Sequence, residues 1–331
     1  MADSIERTLL EEIYAAPDDD GPRSIYADWL IERDDPRGTF IALQLARARR
    51  RDPVISDDEQ QLLDAHWRGW IGEPATHVTA GHVLFERGFW SIFEAQYHVV
   101  PGAAIDHPAW GTVRRMDIGL KLEPQLPALL AATHRSLRTV LVPSRAALAL
   151  VAQSGLAVEE LVLMFDMSRD PPSLAPVTAL PALRRLGFHC QAEFAVRWLE
   201  RANDIGIRDV MLQFRPHVDY VRKVLRRAKR TQITRLAIEV PDQTVFHAER
   251  DTDGTLAIRT IELGAAPTQH VSAVQQLDAA KQWLVELAVH VDPGVKVAMP
   301  QITPALAEYA DAKGMRLVRN ATRLAVRPRS G

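Results

Sequence analysis

The chain has 331 residues, of which 47% are apolar and 25% charged, with a formal net charge of −2. That balance excludes wholesale disorder, and no run approaches the roughly 18 apolar residues of a membrane helix. A single cysteine, Cys190, excludes an intramolecular disulfide framework and a multi-cysteine zinc site. The charge is split. Residues 1–75 hold 17 Asp/Glu against 9 Lys/Arg, and residues 76–331 hold 25 against 31, which suggests two modules with different surfaces. The start, Met-Ala-Asp-Ser-Ile-Glu-Arg, places acids before any apolar stretch, so it does not read as a secretory signal and the expected setting is cytoplasmic.

Four short helices are predicted first. Asp3-Ser4-Ile5-Glu6 has capping-box spacing, and Ile5, Leu9 and Ile13 then recur on one helix face. The turn Pro17–Pro22 separates this helix from a second lined by Ile25, Tyr26, Trp29 and Leu30. After the turn Asp34–Gly38, a third runs from about Thr39 to Arg50, with Phe40 and Leu43 inward; its closing Arg47, Arg49, Arg50 and Arg51 suit the helix dipole. Ser56-Asp57-Asp58-Glu59 opens a fourth that carries Leu62, Leu63, His66 and Trp67. A core this small is marginal alone, so the module is expected to pack on the next part of the chain.

The run Ile25-Tyr26-Ala27-Asp28-Trp29-Leu30-Ile31-Glu32-Arg33, followed by Asp35-Pro36-Arg37-Gly38-Thr39-Phe40-Ile41 and by Leu43-Gln44, resembles the signature of the bacterial repeat-companion domain. The preceding Asp-Asp-Asp-Gly-Pro-Arg at 18–23 belongs to the same match. The resemblance implies an architecture: a companion domain at the N-terminus of a repeat protein, joined to it by an Arg-Gly-Phe element, here Arg87-Gly88-Phe89. It implies no reaction and carries over no catalytic residue. Val83–Trp90 then reads as an N-terminal cap strand with a glycine turn.

A template of apolar, two others, apolar, one other, apolar recurs along the remaining chain. It occurs at Val113/Met116/Ile118, Leu137/Val140/Val142, Val158/Leu161/Leu163, Leu183/Leu186/Phe188, Ile207/Val210/Leu212, Ile233/Leu236/Ile238, Ile258/Ile261/Leu263 and Leu284/Leu287/Val289. The spacing resembles leucine-rich repeats. Each hit is a half-buried strand, and helical periodicity lies between strands at 125–133, 145–153, 193–202, 218–229 and 272–280. The asparagine of the consensus is missing: Lys121, Arg145, Asp166, Gln191, Arg215 and Pro241 stand there, so the array is degenerate. The Pro-rich stretch 168–182 reads as extended or short 3₁₀ structure. Asp253-Gly254 marks a hairpin within 244–260 that replaces a helix and is expected to project. Residues 295–331 read strand, helix, strand and basic tail.

These elements define an α/β fold: a small N-terminal helical domain plus a leucine-rich-repeat-like α/β solenoid with a parallel sheet. The boundaries fall at 1–75 (companion domain), 76–112 (linker and N-terminal cap), 113–294 (about eight repeats) and 295–331 (C-terminal cap and tail).

Motifs for chemistry are sparse. The chain has no His-Glu-x-x-His, Walker loop, Gly-x-Gly-x-x-Gly or Gly-x-Ser-x-Gly. His77 and His82 lack further spaced ligands, Asp18–Asp20 reads as a solvated turn, and Cys190 beside His189 points to the opposite strand face. No catalytic residue, metal or cofactor is expected. The residue after each repeat's first apolar position is Arg114, Arg138, Glu159, Arg184, Arg208, Thr234, Arg259 and Val285, a ladder five-eighths arginine. The expectation is a non-enzymatic scaffold for protein–protein interaction that docks an unidentified protein on exposed strand positions. The candidates are Arg114, Arg138, Met164, Arg184, His189, Arg208, Met211, Gln213 and Glu239. Three other readings stay open: phosphate or nucleic-acid binding through the arginine ladder, an enzyme with its site on the loops or in the companion domain, and an immunity- or antitoxin-type binder of a single protein.

Overall fold

The structure is a computed structural model that describes residues 2–50, 55–78, 83–95, 100, 102–164, 173–215, 217–240, 244–264, 272–299 and 302–319. The chain divides into two compact units, residues 1–159 with 179–182 and 322–331, and residues 160–178 with 183–321. The fold is mixed α/β. Helices lead, and an open, mostly parallel set of strands comes after them, in which chain neighbours within each unit are also sheet neighbours.

Unit 1 begins with α1 (Ala2–Ala15), α2 (Asp20–Ile31), α3 (Pro36–Arg50) and α4 (Asp57–Ile71). Helix α1 starts at Ala2, so the expected box at Asp3–Glu6 lies inside the helix and does not cap it. Its apolar face fades towards the N-terminus: Ile13 is fully buried and Ile5 is exposed. Asp19 caps α2 by accepting from the Gly21 amide at 2.8 Å. Helix α3 starts at Pro36, three residues before the expected Thr39, because proline suits a first helical turn. Gly38 therefore falls inside α3, and a Cβ there would meet the Ala27 carbonyl oxygen of α2 at 2.7 Å. Glycine is what lets the two backbones approach. At α4, Ser56 Oγ accepts from the Glu59 amide at 3.2 Å, but the Glu59 carboxylate turns away to Arg47 at 3.0 Å. Only half of the expected capping box is made.

The hairpin β1 (Val83–Glu86) and β2 (Phe89–Ala95) comes next. Strand β2 pairs in parallel with β3 (Arg115–Ile118), and β3 with β4 (Thr139–Val142). Helices α5 (Gly102–Ile105), α6 (Leu126–Ala132) and α7 (Arg145–Gln153) fill the connections. Phe89 reaches into the core formed by Ile13, Tyr26, Ala27, Leu30, Ile41 and Leu45, as a marginal helical module requires. Trp90, Phe93 and Trp110 form a second buried cluster, with ring centroids 4.7–5.7 Å apart.

Unit 2 contains β5 (Glu160–Leu163), β6 (Arg185–His189), α8 (Ala195–Asp204), β7 (Asp209–Gln213), α9 (Val218–Ala228) and β8 (Arg235–Glu239). It continues with β9 (Thr244–Arg250), β10 (Leu256–Leu263), α10 (Ala273–Glu286), β11 (Val291–Met299), α11 (Pro304–Ala312) and β12 (Arg316–Arg319). Strands β5 to β8 are parallel, β9 runs antiparallel to both β8 and β10, and β10, β11 and β12 are parallel. Leu186, Phe188, Val210, Leu212, Leu236 and Ile238 are buried on one side, where Phe188 packs on Trp198 of α8 at 4.8 Å. Alternation sends their neighbours to the open side.

Two expectations need correction. The 244–260 hairpin does not project: β9 and β10 lie in the sheet, paired outwards to β8 and β11, with the turn at 251–255 and Gly254 at φ +85°. An edge-to-edge backbone ladder on both sides is what holds it in plane. The eighth template hit, Leu284/Leu287/Val289, is not a strand. It covers the end of α10 and the 3₁₀ turn Ala288–His290, and β11 starts only at Val291. An apolar pair three apart suits a helix as well as this template, and the full capping box of Ser272 and Gln275 launches a helix that runs through to Glu286. The end of the chain reads strand, helix, strand as expected. The basic tail from 320 and residues 168–172 of the Pro-rich stretch lie outside the described residues; 175–179 form a 3₁₀ turn.

Candidate functional site

The open side of the unit 2 sheet carries three rows of side chains. Strand register sets the first as Glu160, Arg185, Asp209, Arg235 and Glu249. Charge alternates along it. Glu160 lies 3.9 Å from Arg185; Arg185 grips Asp209 through two bonds of 3.0 and 3.1 Å; Asp209 lies 3.8 Å from Arg235. The bidentate bond that Arg185 donates to Asp209, together with the fields of Asp209 and Glu160, outweighs the cost of burial and holds the Arg185 guanidinium above its ordinary pKa. Its first four members neutralise one another, two acids against two bases, and Glu249 adds one more acid at the end.

The second row is Val162, Gly187, Met211, Ala237 and His247. A Cβ at Gly187 would meet Val162 Cγ2 at 2.9 Å and Met211 Cε at 3.0 Å, so glycine lets the two flanking side chains close over the strand. The third row is His189, Gln213, Glu239 and Val245. His189 is exposed, and Gln213 Nε2 donates to Glu239 Oε1 at 3.2 Å. His247 Nε2 and Glu262 Oε2 are 3.0 Å apart across the hairpin. At the strand ends the Cys190 amide donates to the Gln213 carbonyl at 3.0 Å and the Phe214 amide to the Glu239 carbonyl at 3.3 Å. Backbone bonds thus continue the ladder past these strand ends.

The structure brings His189, Met211, Gln213 and Glu239 together on this face, and Met164 comes just after β5, half-buried. It does not bring the arginines to it. Arg184 and Arg208 stand one residue before β6 and β7, exposed, with no ion-pair partner among the described residues. Period-two alternation puts Arg184 in phase with buried Leu186, so the sheet-facing cations are the next residues, Arg185 and Arg235. Counting back from the buried positions would have found that row in the sequence. Arg259 pairs with Asp251 at 2.6 Å and Asp292 at 3.5 Å.

Arg114 and Arg138 belong to a second cluster, inside unit 1. The Asp18 carboxylate, in the loop between α1 and α2, bonds both of them, Arg138 at 3.1 Å. Arg138 also lies 3.6 Å from Glu159. Arg87 joins from the hairpin turn. It donates to the Asp18 carbonyl at 3.0 Å and to the Pro17 carbonyl and Asp20 Oδ1 at 3.3 Å. Partial burial alone would push the Asp18 carboxyl up, but the Arg114 hydrogen bond and the fields of Arg114 and Arg138 hold it below its ordinary value. The Asp18–Asp20 turn is thus clasped by arginines.

Residues of α2 and α3 complete this clasp. Gln44 Oε1 accepts from the Gly88 amide. Gly88 sits at φ +83°, where a Cβ would fall 2.2 Å from Ile41 Cγ1. Phe89 lies 6.1 Å from Tyr26, with the guanidiniums of Arg37 and Arg23 at 4.8 and 5.3 Å from its ring centre. Buried Arg23 donates to the Asp19 carbonyl at 2.8 Å; its burial and the field of Arg87 lower its pKa to about 10. Arg23, Tyr26, Arg37, Ile41 and Gln44 therefore pack and hold the first hairpin.

Nothing in either cluster forms a nucleophile–base pair. Cys190 is buried and His189 exposed, on opposite strand faces, and burial followed by the field of Glu193 pushes the Cys190 thiol up to about 12. Among the described residues no three His, Cys, Asp or Glu side chains are placed to hold a metal, and His82 lies outside them. An open depression of about 410 Å³ is lined by residues of 302–317, with Asp311 and Arg316 its charged members. No described helix is long and apolar enough to cross a membrane. Comparison with known proteins finds no family model and no curated protein that matches the chain.

Proposed function

We propose that the chain is a non-enzymatic scaffold that docks a protein on the open side of the unit 2 sheet, around His189, Met211, Gln213 and Glu239, with Met164 at its border. The observation that carries this reading is the self-neutralised row Glu160–Arg185–Asp209–Arg235 beside half-buried Met211 and exposed His189. Partner groups dock beside charges already paired and held on a rigid backbone ladder, so less is lost to desolvation and ordering. A phosphate backbone would need unpaired cations whose counterions are released, and this row offers few. The resemblance to companion domains and leucine-rich repeats points the same way, with a helical module anchoring the first hairpin of a solenoid. No cofactor is required, and a cytoplasmic, bacterial setting fits the resemblance.

The test is affinity capture from native lysate at low and high salt, with the wild-type chain and a Met211→Glu/His189→Glu variant as baits. One protein retained by the wild type at high salt and lost by the variant supports the reading. A nucleic-acid absorbance ratio that collapses at high salt would overturn it in favour of phosphate binding.

A further inference from the structure

Helix α9 and the end of α10 form a second surface, on the helix side of the unit 2 sheet. Residues 218–230 carry Arg222, Lys223, Arg226, Arg227, Lys229 and Arg230 against one acid, Asp219. Lys223, Arg226, Arg227 and Arg230 recur at helical i, i+3, i+4 and i+7 spacing and are exposed. Two of the six are paired: Arg227 with Glu200 at 2.6 Å and Arg222 with Asp219 at 3.4 Å. Lys223, Arg226, Lys229 and Arg230 have no carboxylate at ion-pair distance among the described residues. The helix dipole does not account for so many. The last turns of α7 and α10 carry no base, and that of α8 carries Arg201, which pairs with Asp204.

An apolar element adjoins this stripe. Arg222 donates through Nε and Nη2 to the Glu286 carbonyl at 3.1 and 2.6 Å, which ties α9 to the C-terminal end of α10. On either side of Glu286 stand Val285, 66% exposed, and Val289, 80% exposed, the two most exposed valines of the described chain. Buried His290 comes next, its Nδ1 unpartnered, and burial and then the fields of Lys229, Arg226 and Arg222 lower its pKa. The surface therefore combines unpaired cations with uncovered aliphatic side chains.

We infer that this surface docks an acidic protein segment that also carries aliphatic side chains. Charge complementarity selects the acids. The valines decide between polyanions, because a phosphate backbone gains nothing from them, whereas a Leu- or Ile-bearing segment buries them. Of the six cations four are arginine, whose planar fork matches a carboxylate with two parallel bonds. This surface is separate from the open sheet face and does not depend on docking there.

Fluorescence anisotropy tests it with three labelled probes: a short peptide of alternating Glu and Leu, the same peptide with Ser for Leu, and a DNA duplex of similar length. The wild type should bind the Glu-Leu peptide about tenfold more tightly than the Glu-Ser peptide, and both more tightly than the duplex. Arg226→Glu/Lys229→Glu/Arg230→Glu should abolish peptide binding. The matching glutamine variant keeps helix propensity and should weaken it, with unchanged circular dichroism as the folding check. Val285→Ser/Val289→Ser should equalise the two peptides and leave Glu-Ser binding as it was. Tighter binding of the duplex, equal binding of the two peptides by the wild type, or peptide binding that survives charge reversal would overturn the proposal. So would salt-sensitive self-association of the chain in sedimentation that the reversal removes, which would assign the surface to a second copy.

Discussion

The same sequence feature, an arginine just ahead of a strand, meets two fates in the two units. In unit 1, Arg114 and Arg138 precede β3 and β4 and close on Asp18, an acid delivered by the loop between α1 and α2. In unit 2, Arg184 and Arg208 precede β6 and β7 and point to water, while the charges that matter on the sheet lie one residue later and pair across strands. A ladder read from one-dimensional spacing therefore says where cations stand. It does not say what neutralises them. That depends on which distant loop the fold brings alongside.

The contrast between the units is challenged most severely at Gly88. Gly88→Ala places a Cβ 2.2 Å from Ile41 Cγ1 at a positive φ, and should cost about 3 kcal/mol in urea unfolding. An effect below about 1 kcal/mol would mean that the hairpin does not rest on the helical module as described. In unit 2 the matching test is Asp209→Ala. It strips the shared acid from Arg185 and Arg235, and should destabilise by about 1–2 kcal/mol because Asp209 is mostly buried. Gly187→Ala should cost about 1 kcal/mol, since the side chains it meets, Val162 and Met211, can give way more readily than backbone.

The smallest effect belongs to Asp18. Its side chain is 56% exposed, so Asp18→Asn should cost less than about 1 kcal/mol at neutral pH. The sign with pH is definite. A carboxyl held below its ordinary value of 3.8 contributes stability that is present above that pH and is lost as pH falls through the folded value. Unfolding curves from neutral to acidic pH should show the wild type losing its advantage over Asp18→Asn across that window. A difference that stays constant would mean that Asp18 carries no charge-dependent contact.

Much of this fold was legible in the sequence. The strand template located β3 to β8 because the last two apolar positions of each hit, two residues apart, both turn to the core, and Gly88 and Gly254 marked their turns. What escaped was the part decided by tertiary context. Leu284, Leu287 and Val289 matched the template yet finish a helix, since three-residue apolar spacing serves both periods once Ser272 and Gln275 have capped its start. The 244–260 hairpin was expected to project, and only the exposed backbone ladders of β8 and β11 explain why it lies in the sheet. His189, Met211, Gln213 and Glu239 could be placed on one face by parity alone. The Asp18 clasp could not, because it joins residues 96 and 120 positions apart.

The most direct measurement is amide hydrogen exchange of the chain with and without the protein captured on it. Docking at the open side of the unit 2 sheet predicts added protection over 185–189, 209–213 and 235–239, and unchanged exchange over 115–118 and 139–142. Protection confined to α1–α4 and the 83–95 hairpin, with the unit 2 strands unaffected, would contradict it and move the docking surface to the helical module.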